Sequence, residues 1–369
     1  MEIAGPLVIG LMSGTSLDGV DAVLVDFSEN PQRAPATLAT FWLPYPADIR
    51  RQALQLQSAQ HDEIHAAELL ANQLAHCFAE AVHQLLAVAG VNAARVAAIG
   101  CHGQTIRHQP AAGYTIQLNN PALLAELTGI AVVADFRSRD IAAGGQGAPL
   151  VPAFHAAVFG DPELHRVILN LGGIANLTDL DPRQPVRGFD CGPGNLLMDA
   201  WIERHLGRRY DEGGSWASKG QVIPELLQRL LADAFFAASP PKSCGREEFN
   251  SDWLQRHLSG SEPPDDVQAT LLELTAVSAS AAIGRWCGRP QELFVCGGGA
   301  RNQALMARLQ QLLPDCRVAG TDFLGQPADW VEAVAFAWLA WRTLRGEPGN
   351  LATVTGARGS RILGAIYPA

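Results

Sequence analysis

The chain has 369 residues, which is enough for two domains of ordinary size. Hydrophobic residues make up 48% of it and charged residues 17%, a composition typical of a folded protein and not of a disordered one. The formal net charge of −10 argues against nucleic acid or an anionic membrane surface as the main partner. An anionic small molecule would therefore need a local site, built from backbone dipoles and a metal ion.

The absence of targeting patterns and the cysteine usage predict a cytoplasmic protein. The sequence has no run of 18 apolar residues, and no basic segment precedes an apolar stretch at the N-terminus, so neither a transmembrane helix nor a signal peptide is expected. The seven cysteines are scattered and include no C-x-x-C pair. This pattern predicts reduced thiols and argues against a zinc site or a disulfide framework.

A β-hairpin is predicted near the N-terminus, over the stretch Ile9–Asp26. Two apolar runs, Pro6–Met12 and Val20–Val25, flank a polar turn at Ser13–Gly19. The turn offers backbone N–H groups and hydroxyls for phosphate oxygens, and carboxylates for Mg²⁺. An ordinary hairpin is the alternative, because turns favour Gly, Ser and Asp for backbone reasons.

The rest of the first half is predicted to alternate helices and strands. Apolar positions spaced near 3.6 residues predict a helix over Asp62–Ala89, with Asp62 as its N-cap and Gly90 as its stop. The remaining predictions are a buried strand at Val96–Ile99, a turn at Gly100–Thr105, a strand at Tyr114–Leu118, a helix from Pro121, and a strand at Ile130–Ala134 that ends at Asp135.

The second half repeats this order of hairpin, helix, strand and Gly-bearing loop. The predicted elements are a strand at Arg166–Leu171, a turn at Gly172–Asn176, a strand at Leu177–Leu180, a helix at Val267–Trp286, a strand at Glu292–Cys296, a loop at Gly297–Ala300, and a helix from near Asn302. The charge-rich and turn-rich stretch Leu196–Leu258 is predicted to be an insertion. Two copies of a mixed β/α unit imply two lobes with a cleft between them, which the Gly-bearing loops would face.

Three loops resemble those of the sugar kinase/Hsp70/actin superfamily. Ser13–Asp21 is similar to its first phosphate loop, Leu171–Asn176 to its second, and Cys296–Asn302 to its adenosine loop. No G-x-x-x-x-G-K-[ST] sequence is present, which argues against the P-loop class.

Longer blocks resemble the bacterial 1,6-anhydro-N-acetylmuramic acid kinase family. The resemblance extends to Gly364–Pro368 and covers essentially the whole chain. The blocks that carry it are Gly10–Gly19, Gly100–Thr105, Ala134–Arg137, Gly144–Pro152 and Phe189–Asn195.

The resemblance implies an α/β fold of two lobes, each a ribonuclease H-like mixed-sheet unit as in actin-like ATPases. We expect lobe I at 1–140, completed by part of 345–369, and lobe II at 141–345 with a helical insertion at about 196–258. The implied reaction is ATP-dependent phosphorylation of O6 of 1,6-anhydro-N-acetylmuramic acid with hydrolytic opening of the anhydro ring. Its products would be ADP and N-acetylmuramic acid 6-phosphate, made during peptidoglycan recycling by a cytoplasmic homodimer. Another sugar kinase, or a chaperone-like or actin-like ATPase of the same superfamily, is the alternative.

Two carboxylates are the catalytic candidates. Asp190 matches the family motif and is predicted to be the general base that takes a proton from the water attacking C1. A carboxylate capping the following helix is the alternative for it. Glu332, on an apolar helix predicted at Asp329–Leu344 and expected between the lobes, would place or polarise that water. A salt bridge to an arginine is the alternative role for Glu332.

The nucleotide is expected at the three Gly-bearing loops, with Mg²⁺ as the metal. Asp18 and Asp21 are the candidate metal ligands, directly or through water. The candidate nucleotide-binding residues are Gly14, Thr15, Ser16, Leu17, Asp18, Gly19, Val20, Asp21, Gly172, Gly173, Asn176, Gly297, Gly298, Gly299 and Asn302.

Polar residues at predicted strand ends are the sugar-binding candidates. Arg137 suits the lactyl carboxylate, because a guanidinium group binds carboxylates bidentately. A packed neutral histidine is the alternative for His102, and an ion pair with Arg137 or Arg139 is the alternative for Asp135. Gly144–Gly147 is interpreted as a loop bordering the cleft, a hinge, or a plain linker. The sugar-binding candidates are His102, Gln104, Thr105, Gln117, Asn120, Asp135 and Arg137.

Overall fold

The computed structural model describes residues 5–14, 17–27, 34–59 and 61–369. The chain divides into two compact units: unit 1 comprises Met1–Val158 and Trp330–Ala369, and unit 2 comprises Phe159–Asp329. Unit 1 is thus longer than the expected 1–140, and it takes the chain back at Trp330 instead of near 345. The reason is the helix after Trp330, which packs on the strands of unit 1.

Unit 1 is built on a mixed sheet that starts with the predicted hairpin. β1 and β2 pair antiparallel, and every residue of β1 is buried. The sheet order is β12-β6-β4-β1-β2-β3, with β5 added to β4, and β4 runs parallel to both β1 and β6. The strands are β1 (Leu7–Ser13), β2 (Gly19–Asp26), β3 (Ala36–Pro44), β4 (Val96–Gln109), β5 (Tyr114–Leu118), β6 (Val132–Ala134) and β12 (Ala365–Tyr367).

The helices of unit 1 cover this sheet. The longest, α2, begins one residue after Asp62 and ends at Ala89, and the next residue, Gly90, adopts the left-handed conformation that suits a helix stop. Asp62 occupies the predicted N-cap position, but its side chain makes no cap hydrogen bond. The helices are α1 (Ala47–Gln55), α2 (Glu63–Ala89), α3 (Pro121–Thr128), α4 (Ser138–Ala142), α5 (Val151–Phe159), α12 (Val331–Leu344) and α13 (Ala352–Thr355).

The turn predicted at Gly100–Thr105 was wrong, because β4 continues through these residues to Gln109. Gly100 is needed for packing. A Cβ atom at this position would lie 2.2 Å from the carbonyl oxygen of Phe336, and one on Gly10 would lie 1.9 Å from that of Ala333. Both carbonyls belong to α12, which crosses β1 and β4 inside unit 1. The apolar character of α12 is therefore explained by its own unit.

Unit 2 repeats the sheet plan of unit 1. Its order is β11-β10-β7-β8-β9, in which β7, β8 and β9 form an antiparallel meander and β10 runs parallel to β7. The turn between β7 and β8 contains only Gly172 and Gly173, so the predicted turn to Asn176 was too long. The strands are β7 (Arg166–Leu171), β8 (Ile174–Leu180), β9 (Arg187–Pro193), β10 (Glu292–Cys296) and β11 (Arg317–Gly320).

Unit 2 contains a long core helix and a series of short ones. The stretch Pro264–Cys287, which is α10 followed by a π-helical turn at Ile283–Cys287, is long and apolar enough to cross a membrane, and 78% of its most apolar window is buried inside the structure. Helices α6 to α9 occupy the segment predicted as an insertion. The helices are α6 (Leu196–Leu206), α7 (Pro224–Leu231), α8 (Ala234–Ala237), α9 (Ser251–His257), α10 (Pro264–Ala282) and α11 (Gln303–Leu312).

The two sheets share one topology. In each, a three-stranded meander is extended on the side of its first strand by parallel strands reached through helices. This is the strand order 3-2-1-4-5 of a ribonuclease H-like unit. The α/β fold of two such units is the expected one.

Candidate active site

The turn between β1 and β2 is fixed from both of its ends. The Ser13 hydroxyl lies 2.6 Å from Gln104 Oε1 and 3.0 Å from the carbonyl oxygen of Gly19, so its one proton serves two acceptors. Gln104 Nε2 in turn donates to the carbonyl oxygen of Gly14 over 3.2 Å. Gln104 is fully buried, so the structure uses this predicted sugar ligand to hold the turn. Thr15 and Ser16 lie outside the described residues.

The other predicted nucleotide-binding residues of this turn differ in whether their side chains or only their backbone groups are accessible to a ligand. The side chains of Leu17 and Val20 are buried in the core of unit 1, so only their backbone groups are available to a ligand. Asp18 is exposed, and Asp21 is half-buried on β2. No group of three or more His, Cys, Asp or Glu side chains in the described part of the chain could hold a metal ion by itself. One or two carboxylates beside substrate phosphates are nevertheless what Mg²⁺ usually has in kinases, so Asp18 and Asp21 fit that ion.

His102 and Arg137 are hydrogen-bonded to each other. Nε and Nη2 of Arg137 lie 3.2 and 2.9 Å from His102 Nε2, and Nη1 donates to the carbonyl oxygen of Gly147 over 2.8 Å. Burial and the neighbouring guanidinium lower the pKa of His102 to about 3, so the ring is neutral. The packed neutral histidine is therefore the interpretation that the structure favours for His102.

Arg137 and Glu332 also interact electrostatically. Burial lowers the pKa of Arg137 to about 10, against the opposite effect of Glu332 and Asp140, so the group stays charged at neutral pH. Burial raises the pKa of Glu332, and the attraction of Arg137 lowers it. In unit 1 the predicted sugar ligand Arg137 thus interacts electrostatically with Glu332, the carboxylate predicted to place the water or to pair with an arginine.

Of the other predicted sugar ligands, Thr105 lies within β4, Gln117 lies near the end of β5, Asp135 follows β6, and Asn120 caps a helix. Gln117 Nε2 donates to Thr105 Oγ1 over 3.2 Å, so these two side chains support each other across β4 and β5. Asp135 is exposed after β6, and its Oδ1 accepts a hydrogen bond from the backbone N–H of Ser138. Asn120 caps α3 by accepting from the N–H of Leu123 over 3.0 Å, which gives it a structural role.

The Gly-rich segment 144–147 is held by a buried carboxylate that the sequence analysis missed. Asp140 is fully buried, and its Oδ2 accepts from the backbone N–H of Gly147 over 2.8 Å. Its Oδ1 accepts from Asn350 Nδ2 and Thr355 Oγ1 over 2.6 and 2.7 Å. These bonds join the Gly-rich segment to the C-terminal part of unit 1, which argues against a plain linker. Only the C-terminal partners, distant in sequence, reveal this role.

In unit 2, two predicted Gly-bearing loops lie side by side. A Cβ atom on Gly299 would lie 2.4 Å from Cβ of Leu171, whereas one on Gly173 or Gly298 would meet nothing closer than 3.9 Å. Asn195 joins the loops: its backbone N–H donates to the carbonyl oxygen of Gly172, and its Nδ2 donates to that of Leu171, both over 2.8 Å. Exposed glycine backbone beside a helix start is suited to anionic groups. Asn195 was missed as a site residue, although it is the last residue of the block Phe189–Asn195 that carries the family resemblance.

The two asparagines predicted to bind nucleotide have different settings. Asn302 is buried and caps α11, since its Oδ1 accepts from the N–H of Leu305 over 3.1 Å. Asn176 is half-buried on β8, in register with Asp190 on β9. Residues directly opposite in an antiparallel pair point to the same face of the sheet. Asn176 is therefore a neighbour of the predicted base, and Asn302 is chiefly a helix cap.

Asp190 lies in a desolvated position on β9. Its backbone N–H donates to the carbonyl oxygen of Lys242 over 3.1 Å, and its Oδ2 accepts from the N–H of Cys244 over 3.0 Å. Burial raises the pKa of the carboxyl to about 6, with the Cys244 bond opposing the rise. Helix α6 begins only at Leu196, and Asn195 occupies its N-cap position, so Asp190 does not cap that helix. A carboxyl that titrates near neutrality and has one oxygen fixed is suited to general base catalysis.

Known proteins match this chain over nearly its whole length. The profile of the anhydro-N-acetylmuramic acid kinase family matches residues 6–369. Curated proteins named anhydro-N-acetylmuramic acid kinase are 60% identical in Nitrosospira multiformis, over 98% of this chain and 98% of that protein, and 60% identical in Thiobacillus denitrificans, over 98% and 97%. The one from Pseudomonas putida is 56% identical, over 98% and 99%. Identity of this extent shows that the chain is an enzyme, a kinase. It belongs to the anhydro-N-acetylmuramic acid kinase family.

Proposed function

We propose that this protein phosphorylates O6 of 1,6-anhydro-N-acetylmuramic acid from ATP and opens the anhydro ring with water. The products are N-acetylmuramic acid 6-phosphate and ADP, and the substrate comes from recycled peptidoglycan in the cytoplasm. The observation that carries the proposal is the setting of Asp190: a desolvated carboxyl with a pKa of about 6 and one oxygen held by Cys244, in a chain of this family.

The bonds balance with a single general base. Water attacks C1, the bond between C1 and O6 breaks, and O6 forms a new bond to the γ-phosphorus as ADP leaves. Asp190 takes the proton that the water loses. An ordinary glycosidase also needs an acid to protonate the leaving oxygen. Here phosphoryl capture of O6 replaces that protonation, so a second acidic residue is unnecessary.

For the nucleotide, the proposal uses the exposed backbone of three loops. In unit 2, Gly172, Gly173 and Gly298 have open space beside their Cα atoms and can approach phosphates or the nucleoside closely. In unit 1, Gly14 begins the turn that Ser13 and Gln104 fix. Asp18 and Asp21 would hold Mg²⁺, directly or through water. When bound, the ion neutralises charge on the transferring phosphoryl group.

For the sugar, the proposal relies on the charged pair of unit 1. Arg137 keeps its positive charge in a half-buried setting and would bind the lactyl carboxylate. Glu332 is attracted by Arg137 and would orient the attacking water or a sugar hydroxyl. Thr105, Gln117 and Asp135 would add hydrogen bonds to the sugar. Gln104 and Asn120, with their amides engaged in the turn and the helix cap, are omitted from the sugar contacts.

A comparison of two sugars tests the proposal against its alternatives. The protein is incubated with ATP and either 1,6-anhydro-N-acetylmuramic acid or N-acetylmuramic acid, and sugar phosphate and ADP are both quantified. The proposal predicts one sugar 6-phosphate per ADP from the anhydro sugar and little from the other. Equal use of both sugars would favour an ordinary sugar kinase. ADP release without sugar phosphate would favour a chaperone-like ATPase. We also propose a homodimer, which light scattering during size-exclusion chromatography would test.

A further inference from the structure

His102 contacts the phosphate-side turn and the sugar-side arginine at once. Its Nδ1 lies 3.3 Å from the carbonyl oxygen of Ser13, the last residue of β1. Its Nε2 lies 3.2 and 2.9 Å from Nε and Nη2 of Arg137. The imidazole is buried and packs on the ring of Phe336, with 4.6 Å between centroids. All of these residues belong to unit 1.

The partners fix which nitrogen carries the proton. A guanidinium group can only donate, so Nε2 must accept from Arg137. The neutral ring then carries its proton on Nδ1, which donates to the Ser13 carbonyl oxygen. Each nitrogen therefore serves one partner, and neither can exchange its role while both contacts persist. Both ring nitrogens are used inside the protein, which argues against direct binding of sugar by His102.

Arg137 and Ser13, the two partners of His102, are each held by further hydrogen bonds. Arg137 has three of its N–H donors directed to neutral acceptors, His102 Nε2 and the carbonyl oxygen of Gly147. These acceptors are neutral and do not cancel the charge of the guanidinium; the carboxylates that act on this charge are Glu332 and Asp140. Ser13 is held by β4 a second time, because its hydroxyl lies within 2.6 Å of Gln104 Oε1. His102 and Gln104 lie on either side of Gly103, at an irregularity in the pairing of β4 with β1, and both contact Ser13.

We infer that His102 is a positioning residue that holds both the nucleotide turn, through Ser13, and the carboxylate-binding Arg137. The inference rests on the proposed function, which assigns the turn to phosphate and Arg137 to the sugar. The two nitrogens of the imidazole have separate roles. Nδ1–H sets the position of the Ser13 carbonyl at the start of the turn, and Nε2 sets the orientation of the guanidinium. A histidine that merely filled space beside Phe336 would have neither role.

Three substitutions separate the two roles. His102→Asn places an amide nitrogen near the position of Nδ1 and removes the acceptor for Arg137. His102→Gln places an amide oxygen near the position of Nε2 and removes the donor to Ser13. His102→Phe keeps the ring shape and its packing on Phe336 but removes both hydrogen bonds. His155→Phe is the matched control, since His155 is a buried histidine of α5 in the same unit.

The readout is a pair of dissociation constants measured by calorimetry, one for ADP with Mg²⁺ and one for 1,6-anhydro-N-acetylmuramic acid. A lost hydrogen bond to a charged or positioning group weakens binding by about tenfold. We expect His102→Asn to weaken binding of the sugar by about tenfold and binding of ADP by less than about threefold. His102→Gln should weaken binding of ADP by about tenfold and binding of the sugar by less than about threefold. His102→Phe should weaken the binding of both ligands, and His155→Phe should weaken the binding of neither.

The inference is tested by comparing the two dissociation constants across the variants. Equal changes in the Asn and Gln variants, or unchanged constants in the Phe variant, would overturn the inference and leave a packing histidine. Circular dichroism and melting temperature identify a variant that fails to fold, and the Asn and Gln pair then still supplies the contrast. Failure of the proposed function looks different: the wild-type protein itself would then not bind the anhydro sugar.

Discussion

At the scale of single residues, Asp190 is the group whose surroundings bear most directly on chemistry. Its half-buried carboxyl, bonded through Oδ2 to the N–H of Cys244, is costly to ionise, and burial is the main cause of its raised pKa. The insertion supplies Lys242 and Cys244, which flank the strand that carries Asp190. The sequence motif identified the residue, but its desolvation depends on this contact between distant segments and could not be predicted.

The first prediction concerns turnover. Asp190→Asn keeps an oxygen that can accept from Cys244 but removes the base, so we expect the turnover number to fall by about 10³-fold or more. The affinity for ADP should change by less than about threefold, because Asp190 is assigned no nucleotide contact. Steady-state assays and calorimetry measure the two quantities. Near-normal turnover in this variant would show that another group takes the proton.

The second prediction concerns pH. A general base must be deprotonated to act, so kcat/KM should rise with pH and level off above an apparent pKa of about 6, that of the Asp190 carboxyl. The pH profile of the wild-type enzyme on the anhydro sugar measures this. An acidic limb centred near pH 4 would mean that the carboxyl is not desolvated in the way described.

The third prediction concerns stability, and its sign follows from the same pKa. Because the pKa of Asp190 is higher in the folded protein, at about 6 against an ordinary 3.8, ionisation costs folding free energy above pH 6 and nothing below about pH 4. Asp190→Asn should therefore stabilise the protein at pH 8 by up to roughly 3 kcal/mol, and the gain should vanish at pH 4. Melting temperatures at both pH values test this, and a destabilised variant at pH 8 would contradict it.

At the scale of elements, glycines were the residues most easily misinterpreted. Gly172 and Gly173 form a turn, as predicted, whereas Gly100 lies inside β4 beneath α12. Periodicity located β7, β10 and α2 because their apolar patterns depend on neighbours close in sequence. It could not show that Gly10 and Gly100 allow a helix more than 200 residues away to approach, since only the folded chain brings α12 there.

The fourth prediction tests that close approach. Gly100→Ala puts a methyl group 2.2 Å from the carbonyl oxygen of Phe336, so α12 must shift. We expect a loss of about 1–3 kcal/mol of folding free energy, the usual cost of overpacking. Denaturant unfolding measures it. Gly284→Ala is the control, because a Cβ atom there meets nothing within 4 Å. An equal effect of both substitutions would show that packing against α12 is not the cause.

At the scale of the whole molecule, the chain consists of two sheets of one topology, in units Met1–Val158 with Trp330–Ala369 and Phe159–Asp329. The repeated order of strands and loops in the sequence predicted this duplication. The boundaries of the two units were harder to predict, because α12 follows unit 2 in the sequence but packs with unit 1. The same holds for Asp140, which holds segment 144–147 through partners at Asn350 and Thr355. These two misses each involve a contact between segments far apart in the chain.

The proposed reaction also assigns one fate to every oxygen atom. Water supplies the new hydroxyl at C1, and O6 stays on the sugar and receives the phosphoryl group. The most direct measurement is therefore turnover of 1,6-anhydro-N-acetylmuramic acid with ATP in ¹⁸O-labelled water, followed by mass spectrometry of the sugar phosphate. The account predicts one labelled oxygen, located at C1, and an unlabelled phosphate group. A product whose label is in the phosphate group, or which carries no label at C1, would contradict it.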